Sequence, residues 1–514
     1  MSDIVRRNAD FFADSDALIE DGASRSWGEV ETRTNKLARA FLSLGLAKGD
    51  RISILAPNCA EFVEFFFACA KSGVVGAAVN IRLSARELAA YLRYIEPSGI
   101  IVHSSLAESA AEWLPEVPSI RHVLGFGGTH GFKLDLTEAM SAEPGSDPGV
   151  DIRDDDVYQI AATSGTTGVP KGAVLNHRNA MGGILGVLAE VPVPQQGTNL
   201  QNVPYFFNPG GSAGLNPVFM KGGRSVIAPG FEPLTFFRAV ERYRVTNTIL
   251  VPTMLRMLLA RPERHDFDLS SLRGVITGGS PLSRELLMKG RELLGDVFYP
   301  MYALTETYAS ALILRQEDQF TTGTADQVAR LSSLGRPNVL THARVVKDDG
   351  TDVVRGSDEV GEIWLRGESV SSGYFRMPEE TALSRDGDWF KTGDLAKADE
   401  EGFITIVDRK KDMIITGGIN VFSIEVETAL MQHPDVDSVA VIGVPHEIWG
   451  EAIHAVIVPV PGATASVQEI LDDAAGRLAG YKKPRSGEFR SQLPVSATGK
   501  LLKRELRESI LGNC

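Results

Sequence analysis

Between Arg51 and His103 the hydrophobic period switches repeatedly, and this alternation restricts the fold more than any other feature of the chain. Arg51-Ile-Ser-Ile-Leu55 reads as a strand and Glu61 to Lys71 as a buried helix. Val74 to Val79 reads as the next strand. Ser84 and Glu87 form a capping box that opens another helix, and Ile100-Ile-Val-His103 closes the unit. Parallel strands need a crossover between them, so alternation at this spacing predicts sheets covered by helices, an α/β fold. An earlier capping box, Ser26 and Glu29, precedes Leu37, Ala40, Phe41 and Leu44 at helical spacing, with Gly45 as the stop. Residues 134–156, rich in turn formers, read as a surface connection. Alternation resumes at Tyr158-Gln-Ile-Ala-Ala-Thr163, Thr248 to Val251 and Gly274 to Thr277, with a helix from about Ser283 to Leu294.

Beyond about residue 330 the runs become shorter and β-like, as in Gly361 to Arg366 and Phe403 to Val407, which predicts a small β-rich subdomain. The charged cluster Asp408-Arg-Lys-Lys-Asp412 is the expected boundary between a large N-terminal domain, 1–408, and a small C-terminal α+β domain, 409–514. The latter should contain helices at about 423–431 and 467–479, strands at 438–442 and 452–460, and a basic tail.

At 514 residues, with 52 basic and 66 acidic side chains and a net charge of −14, the chain is an unpromising partner for a nucleic-acid backbone. Its three cysteines, Cys59, Cys69 and Cys514, form no C-x-x-C pair, and reduced thiols in the cytoplasm are expected. No run of 18 apolar residues occurs, so no transmembrane segment is expected. The first 16 residues lack the apolar stretch of a signal peptide.

The strongest local signal is Thr163-Ser-Gly-Thr-Thr-Gly-Val-Pro-Lys-Gly172. Glycine lets backbone approach an anion closely. The hydroxyls of Ser164, Thr166 and Thr167, the backbone N–H groups and Lys171 all suit a polyphosphate. Pro170 stands where a Walker A motif requires glycine, so this is a different phosphate loop.

The segment resembles the phosphate loop of the adenylate-forming superfamily, which includes acyl-CoA synthetases, luciferases and peptide-synthetase adenylation domains. Further signatures follow in the family's order: Tyr302-Ala-Leu-Thr-Glu306, Thr392-Gly-Asp394, Arg409 to Gly418 with Asn420 and Glu425, and Pro494-Val-Ser-Ala-Thr-Gly-Lys500. The resemblance runs from about residue 10 to 510. It implies a mobile C-terminal domain and an acid–CoA ligase that uses ATP, Mg²⁺ and coenzyme A.

By resemblance, Thr163, Ser164, Gly165, Thr166, Thr167, Gly168 and Lys171 hold phosphate. Thr305 stands beside the phosphate, and Glu306 binds the metal. Gly279, Ser280, Pro281, Tyr302 and Ala303 hold adenine, Asp394 and Arg409 take the ribose, and Lys500 is the catalytic cation between carboxylate and α-phosphate. Lys411 falls at the hinge, and Gly417 and Gly418 at the coenzyme A tunnel. The acid pocket draws on Phe206, Phe207, Asn208, Gly210, Gly278, Ala303, Ala309 and Ser310. That wall is apolar and offers no cation to a second carboxylate, so a monocarboxylic fatty or aromatic acid is expected. The sequence departs from the family where Pro300-Met301 and Ala303 replace a polar residue and glycines, and where Asn208 replaces a common histidine. Two alternatives carry other expectations. A peptide-synthetase-type adenylating enzyme needs an acidic pocket residue, which Pro204 to Gly211 lacks. A catalytically inactive nucleotide-binding homologue has no reason to keep Glu306 and Lys500.

Overall fold

The computed structural model describes residues 1–163, 171–208, 210–280, 282–495 and 501–512. By its contacts the chain forms two compact units, one of Met1–His342 with Leu365–Phe390 and one of Ala343–Trp364 with Lys391–Cys514. The cluster 408–412 lies within the second.

Among the described residues the first unit is built on two large sheets. One has eight strands, in the order Gly373–Tyr374, Gly172–Asn176, Val157–Ala162, Val75–Ala78, Arg51–Leu55, Gly99–His103, His122–Phe126 and Leu134–Asp135. From Val157–Ala162 onward neighbours run parallel, and the first two strands are antiparallel additions. The other has nine, from Arg336–Pro337 through Phe298–Tyr302, Gly274–Thr277, Asn247–Ile249 and Thr198–Gln201 to Asp16–Glu20 and Ala23–Ser26. Both expected capping boxes are present, at Ser26 with Glu29 and at Ser84 with Glu87. The helix Ala60–Ser72 sits almost entirely inside the protein; its charged Glu64 is satisfied by Arg25 and Arg33, each at 2.6 Å. Residues 134–156 are not wholly irregular: Asp135 caps a helix Leu136–Ser141 whose Leu136 and Met140 are buried. Two turns of helix amid turn formers give too little periodicity to read.

In the second unit, Gly450–Pro459 pairs with Val436–His446, Ile414–Thr416 and Ser486–Phe489. Successive side chains on a strand face opposite ways. Val439 and Val441 accordingly join Val426, Leu430 and Ile470 on one face, while Ala440 and Ile442 meet Leu506 on the other. Leu506 belongs to the helix Lys503–Leu511, so the expected basic tail is an ordered element closing the second face. Among the described residues no helix is long and apolar enough to cross a membrane.

The helix His177–Glu190 holds several segments of the first unit in place. Asn176 and Asn179 cap its start reciprocally. Gly183 allows close contact: a Cβ there would stand 2.8 Å from the Tyr308 ring and 3.2 Å from Ala309. Asn179 donates to the carbonyls of Glu368 and Val370 at 2.8 and 2.9 Å. His177 is buried against Tyr158, its Nε2 without a partner among the described residues. Burial first, then the N-terminal ammonium, pushes its pKa down from 6.5 to about 4. On acidification the unfolded chain takes up a proton near pH 6.5 that the folded ring refuses until about pH 4. The stabilisation is thus complete above 6.5 and lost on descending to 4, up to about 3 kcal/mol at roughly 1.4 per unit. Urea unfolding of the wild type and His177→Phe at pH 7 and pH 4 should show their stability difference changing by about that amount. A difference independent of pH removes His177 as the source.

Candidate active site

The strands Val157–Ala162 and Gly172–Asn176 form a hairpin whose ends are tied by the Thr163 N–H donating to the Lys171 carbonyl at 2.7 Å. Between them lies the glycine-rich segment. Its candidates Ser164, Gly165, Thr166, Thr167 and Gly168 fall outside the described residues, as do Pro281 and Lys500. The ammonium of Lys171 pairs with the Glu380 carboxylate and lies 5.1 Å from the centre of the Tyr374 ring.

The adjacent parallel strands Gly274–Thr277 and Phe298–Tyr302, in register Thr277↔Pro300, release their loops at the same sheet edge. Open α/β sheets bind ligands at the carboxyl ends of their strands. Gly278, Gly279 and Ser280 leave one strand; Ala303, Thr305 and Glu306 leave the other after Tyr302. Gly278 presses on its neighbour, since a Cβ would stand 2.7 Å from the Met301 carbonyl. Gly279 has φ +82° and faces open space apart from Val251. The turn Thr305–Thr307 is held by the Thr307 hydroxyl, which accepts from the Leu304 N–H and donates to its carbonyl, both at 3.0 Å. Tyr308 follows at φ +58°, an uncommon conformation for a bulky residue. Such strain, on the order of 1–3 kcal/mol, is sustained where surrounding structure enforces it.

Glu306 is gripped twice by one segment. The Ser371 N–H donates to its carbonyl at 2.7 Å, and the Tyr374 hydroxyl donates to Oε1 at 2.7 Å. Burial first, then the nearby Glu306 carboxylate, pushes the Tyr374 pKa far up, so the hydroxyl keeps its proton and remains a donor. Among the described residues no group of three or more His, Cys, Asp or Glu forms a self-sufficient metal site. A single carboxylate fits Mg²⁺ in its usual setting, where one or two protein oxygens are completed by substrate phosphates and water.

In the second unit, Asp394 and Arg409 face each other across the antiparallel pair Trp389–Ala398 and Ile404–Arg409, with Arg409 Nε 3.1 Å from Asp394 Oδ1. Lys411 follows in a turn where the N–H groups of Asp412 and Met413 donate to the Arg409 carbonyl. Gly417 and Gly418, at φ +57° and +78°, are the entire loop of a two-residue hairpin closing at Thr416↔Ile419. Both central residues of such a turn need positive φ, hence the glycine pair. A Cβ on Gly417 would lie 3.0 Å from the Trp449 ring, whereas Gly418 faces open space.

The acid-pocket candidates divide into groups. Phe206 and Phe207 pack edge to face at 4.5 Å. Asn208 donates to the Tyr308 carbonyl and accepts from Gln159 Nε2 at 3.3 Å, so its amide is anchored at both ends. Gly210 opens a π-helical turn, Gly210–Leu215, and a Cβ on it would meet Gln201 Nε2 at 2.7 Å. Ala303 is half-buried. Ala309 and Ser310 are fully buried, the former toward Gly183 and the latter with its carbonyl taken by Asn338 at 2.9 Å. Of these candidates only Asn208 lines a small cavity of about 30 Å³, together with Gln159, Ser212, Asn216 and Tyr308. That volume suits about two waters, not an acid. Tyr374, Tyr308 and Glu380 escaped the sequence reading: none lies in a signature segment that names it, and their partners are distant in the chain.

The AMP-binding enzyme family matches residues 5–375, and the AMP-binding enzyme C-terminal domain matches residues 425–500. A feruloyl-CoA synthase of Amycolatopsis sp. is 35% identical over 495 residues, 96% of this chain and 95% of that protein. The long-chain-fatty-acid–CoA ligase FadD13 of Mycobacterium tuberculosis is 32% identical over 492 residues, 94% of this chain and 92% of that protein. The crystal structure of the anthranilate CoA ligase AuaEII with anthranoyl-AMP superposes with a TM-score of 0.89 at 26% identity, covering 100% of this chain and 98% of that one. On the hairpin that flanks the glycine-rich segment, the two loops at the sheet edge and these likenesses together, the chain belongs to the AMP-binding, adenylate-forming enzymes and stands among their acyl- and aryl-CoA ligases.

Proposed function

We propose that the protein is an ATP-dependent carboxylic acid–CoA ligase acting on a monocarboxylic aromatic or fatty acid. The observation that carries this reading is the cluster at the end of the phosphate hairpin: Lys171 beside one face of Tyr374 and the Glu306 carboxylate held by its hydroxyl. An ammonium for phosphate and a carboxylate for a divalent cation are what joining a carboxylate to a triphosphate requires, because two anions must meet. The acid oxygen attacks the α-phosphorus and pyrophosphate leaves. The coenzyme A sulfur, having lost its proton, then attacks the acyl carbon and AMP leaves. Mg²⁺ held by Glu306 and phosphate oxygens would neutralise charge on the leaving group. In this reading residues 1–408 bind ATP and acid, residues 409–514 bring Lys500 for adenylation, Lys411 is the hinge, and Gly417 and Gly418 line the thiol tunnel. The open space at Gly418 supports that last assignment.

The acid class follows from the pocket. Phe206, Phe207, Ala303 and glycines are its proposed wall, and the Asn208 amide is already spent on Tyr308 and Gln159. No charged side chain among these candidates stands ready for an ammonium or a second carboxylate, which disfavours amino acids and dicarboxylates. Likeness to the feruloyl-CoA synthase puts hydroxycinnamic acids first on a substrate panel. Acid-dependent ATP–pyrophosphate exchange and coenzyme A-dependent AMP release should both appear with aromatic or fatty monocarboxylates. Exchange with amino acids alone, or none with any acid, refutes the proposal.

A further inference from the structure

We infer that Tyr374 is a positioning residue for the nucleotide-bound cation: its hydroxyl fixes Glu306 Oε1, leaving Oε2 for the metal, while its ring keeps Lys171 alongside. This rests on the reading of Glu306 as the metal carboxylate.

The tyrosine is held by its own surroundings. Its strand, Gly373–Tyr374, pairs antiparallel with the start of Gly172–Asn176 in register Tyr374↔Ala173, two residues beyond Lys171. Its N–H donates to the Thr381 hydroxyl at 2.9 Å, and that hydroxyl donates to the Met377 carbonyl at 2.8 Å. The ring therefore sits at a set distance from the end of the phosphate hairpin. From there its hydroxyl reaches Glu306, and Ser371, three residues earlier, fixes the Glu306 backbone. Among the described residues Tyr374 is the only side chain that donates to the Glu306 carboxylate.

Two carboxylates, Glu306 and Glu380, stand in this cluster with the Lys171 ammonium, and the Arg385 guanidinium acts on the same tyrosine. A divalent cation arriving with a triphosphate gives Glu306 Oε2 a partner, and the triphosphate gives Lys171 an anion other than Glu380. Tyr374 contacts both groups that respond. An open groove of about 390 Å³, lined by Tyr374, Ser372, Thr381 and Arg385, adjoins the cluster at the tyrosine. If Tyr374 only packed the sheet edge, its hydroxyl would be dispensable and its ring sufficient.

Tyr374→Phe separates the two, because it keeps the ring and removes the donor. A hydrogen bond to a charged group contributes about 1.5–3 kcal/mol, on the order of tenfold or more in affinity. Calorimetric titration with a non-hydrolysable ATP analogue, with and without Mg²⁺, gives the gain in affinity due to the metal. Tyr374→Phe should reduce that gain about tenfold and leave metal-free binding within about twofold. Glu306→Gln should abolish the gain. If Glu306→Gln leaves the gain intact, Glu306 is not the metal carboxylate and the inference falls with it. If Glu306→Gln abolishes the gain while Tyr374→Phe retains it in full, the Tyr374 inference alone is wrong.

Discussion

Lys500→Ala is expected to lower acid adenylation by about a hundredfold or more while leaving thioester formation from a supplied acyl-adenylate within a few-fold of the wild type. Adenylation brings the acid carboxylate against an α-phosphate, and the transition state concentrates negative charge between them. A compact ammonium on a flexible stem can follow that charge, whereas the broad fork of arginine cannot occupy the same point, so Lys500→Arg should not rescue. The second half-reaction starts from the mixed anhydride and has no such encounter of anions. The measurement is pyrophosphate exchange beside single-turnover thioester formation. Adenylation within tenfold of the wild type, about 1.4 kcal/mol of barrier, removes Lys500 from the role; equal loss of both steps removes the division of labour.

Lys503→Met should destabilise the second unit by about 3–5 kcal/mol. This lysine lies only three positions on from Lys500, but its surroundings give it a different task. Its side chain is 12% exposed, and Nζ lies 2.6 Å from Glu427 Oε1 and 2.5 Å from the Ser423 hydroxyl. Glu427 also accepts the Val441 N–H at 2.8 Å. The Ser423 hydroxyl meets both oxygens of the buried Asp408, at 3.1 and 2.8 Å. Burial pushes both carboxyls above their ordinary pKa, and the Lys503 ammonium is the main influence in the other direction. Without it, two buried carboxylates lose their shared cation. Urea denaturation should show the loss, and Lys503→Met combined with Glu427→Gln should recover much of it by removing one uncompensated charge. A loss below about 1 kcal/mol would mean that the cluster behaves as a surface ion pair.

The two lysines show where sequence reading reaches and where it stops. Lys503, Arg504 and Arg507 read as a solvated basic tail because charge dominates that stretch, and the one residue that anchors it, Leu506, is a single apolar position without period. The parallel strands were legible for the opposite reason. Strands covered on both faces need near-continuous apolar runs, and Gly99–His103 and Gly274–Thr277 have them. Helix starts at Ser26 and Ser84 were legible because a cap is local chemistry. Edge strands such as Ala23–Ser26, exposed or half-exposed throughout, carry no comparable pattern. Glu306 could be picked out because Tyr302 to Glu306 is a contiguous motif. Tyr374 could not, since its meaning lies in a hydrogen bond to a residue 68 positions away. The positive φ of Tyr308 is likewise invisible in a string of letters.

The helix His177–Glu190 touches the Tyr308 ring and Ala309 at Gly183, and at Gly182 it lies against the backbone of Glu368 and Ser369. One rigid rod therefore braces both the turn that carries Glu306 and the run of chain that leads to Tyr374. On the proposed assignment of the acid wall and the metal carboxylate, enlarging the rod on that side would displace both together, and a change in substrate scope made there should disturb turnover as well. Redesign has freer ground at Phe207, which is only half-buried and is not among the groups that a Cβ on Gly182 or Gly183 would meet. On that assignment the two glycines make the choice of acid and the handling of ATP a single mechanical problem on this side of the helix.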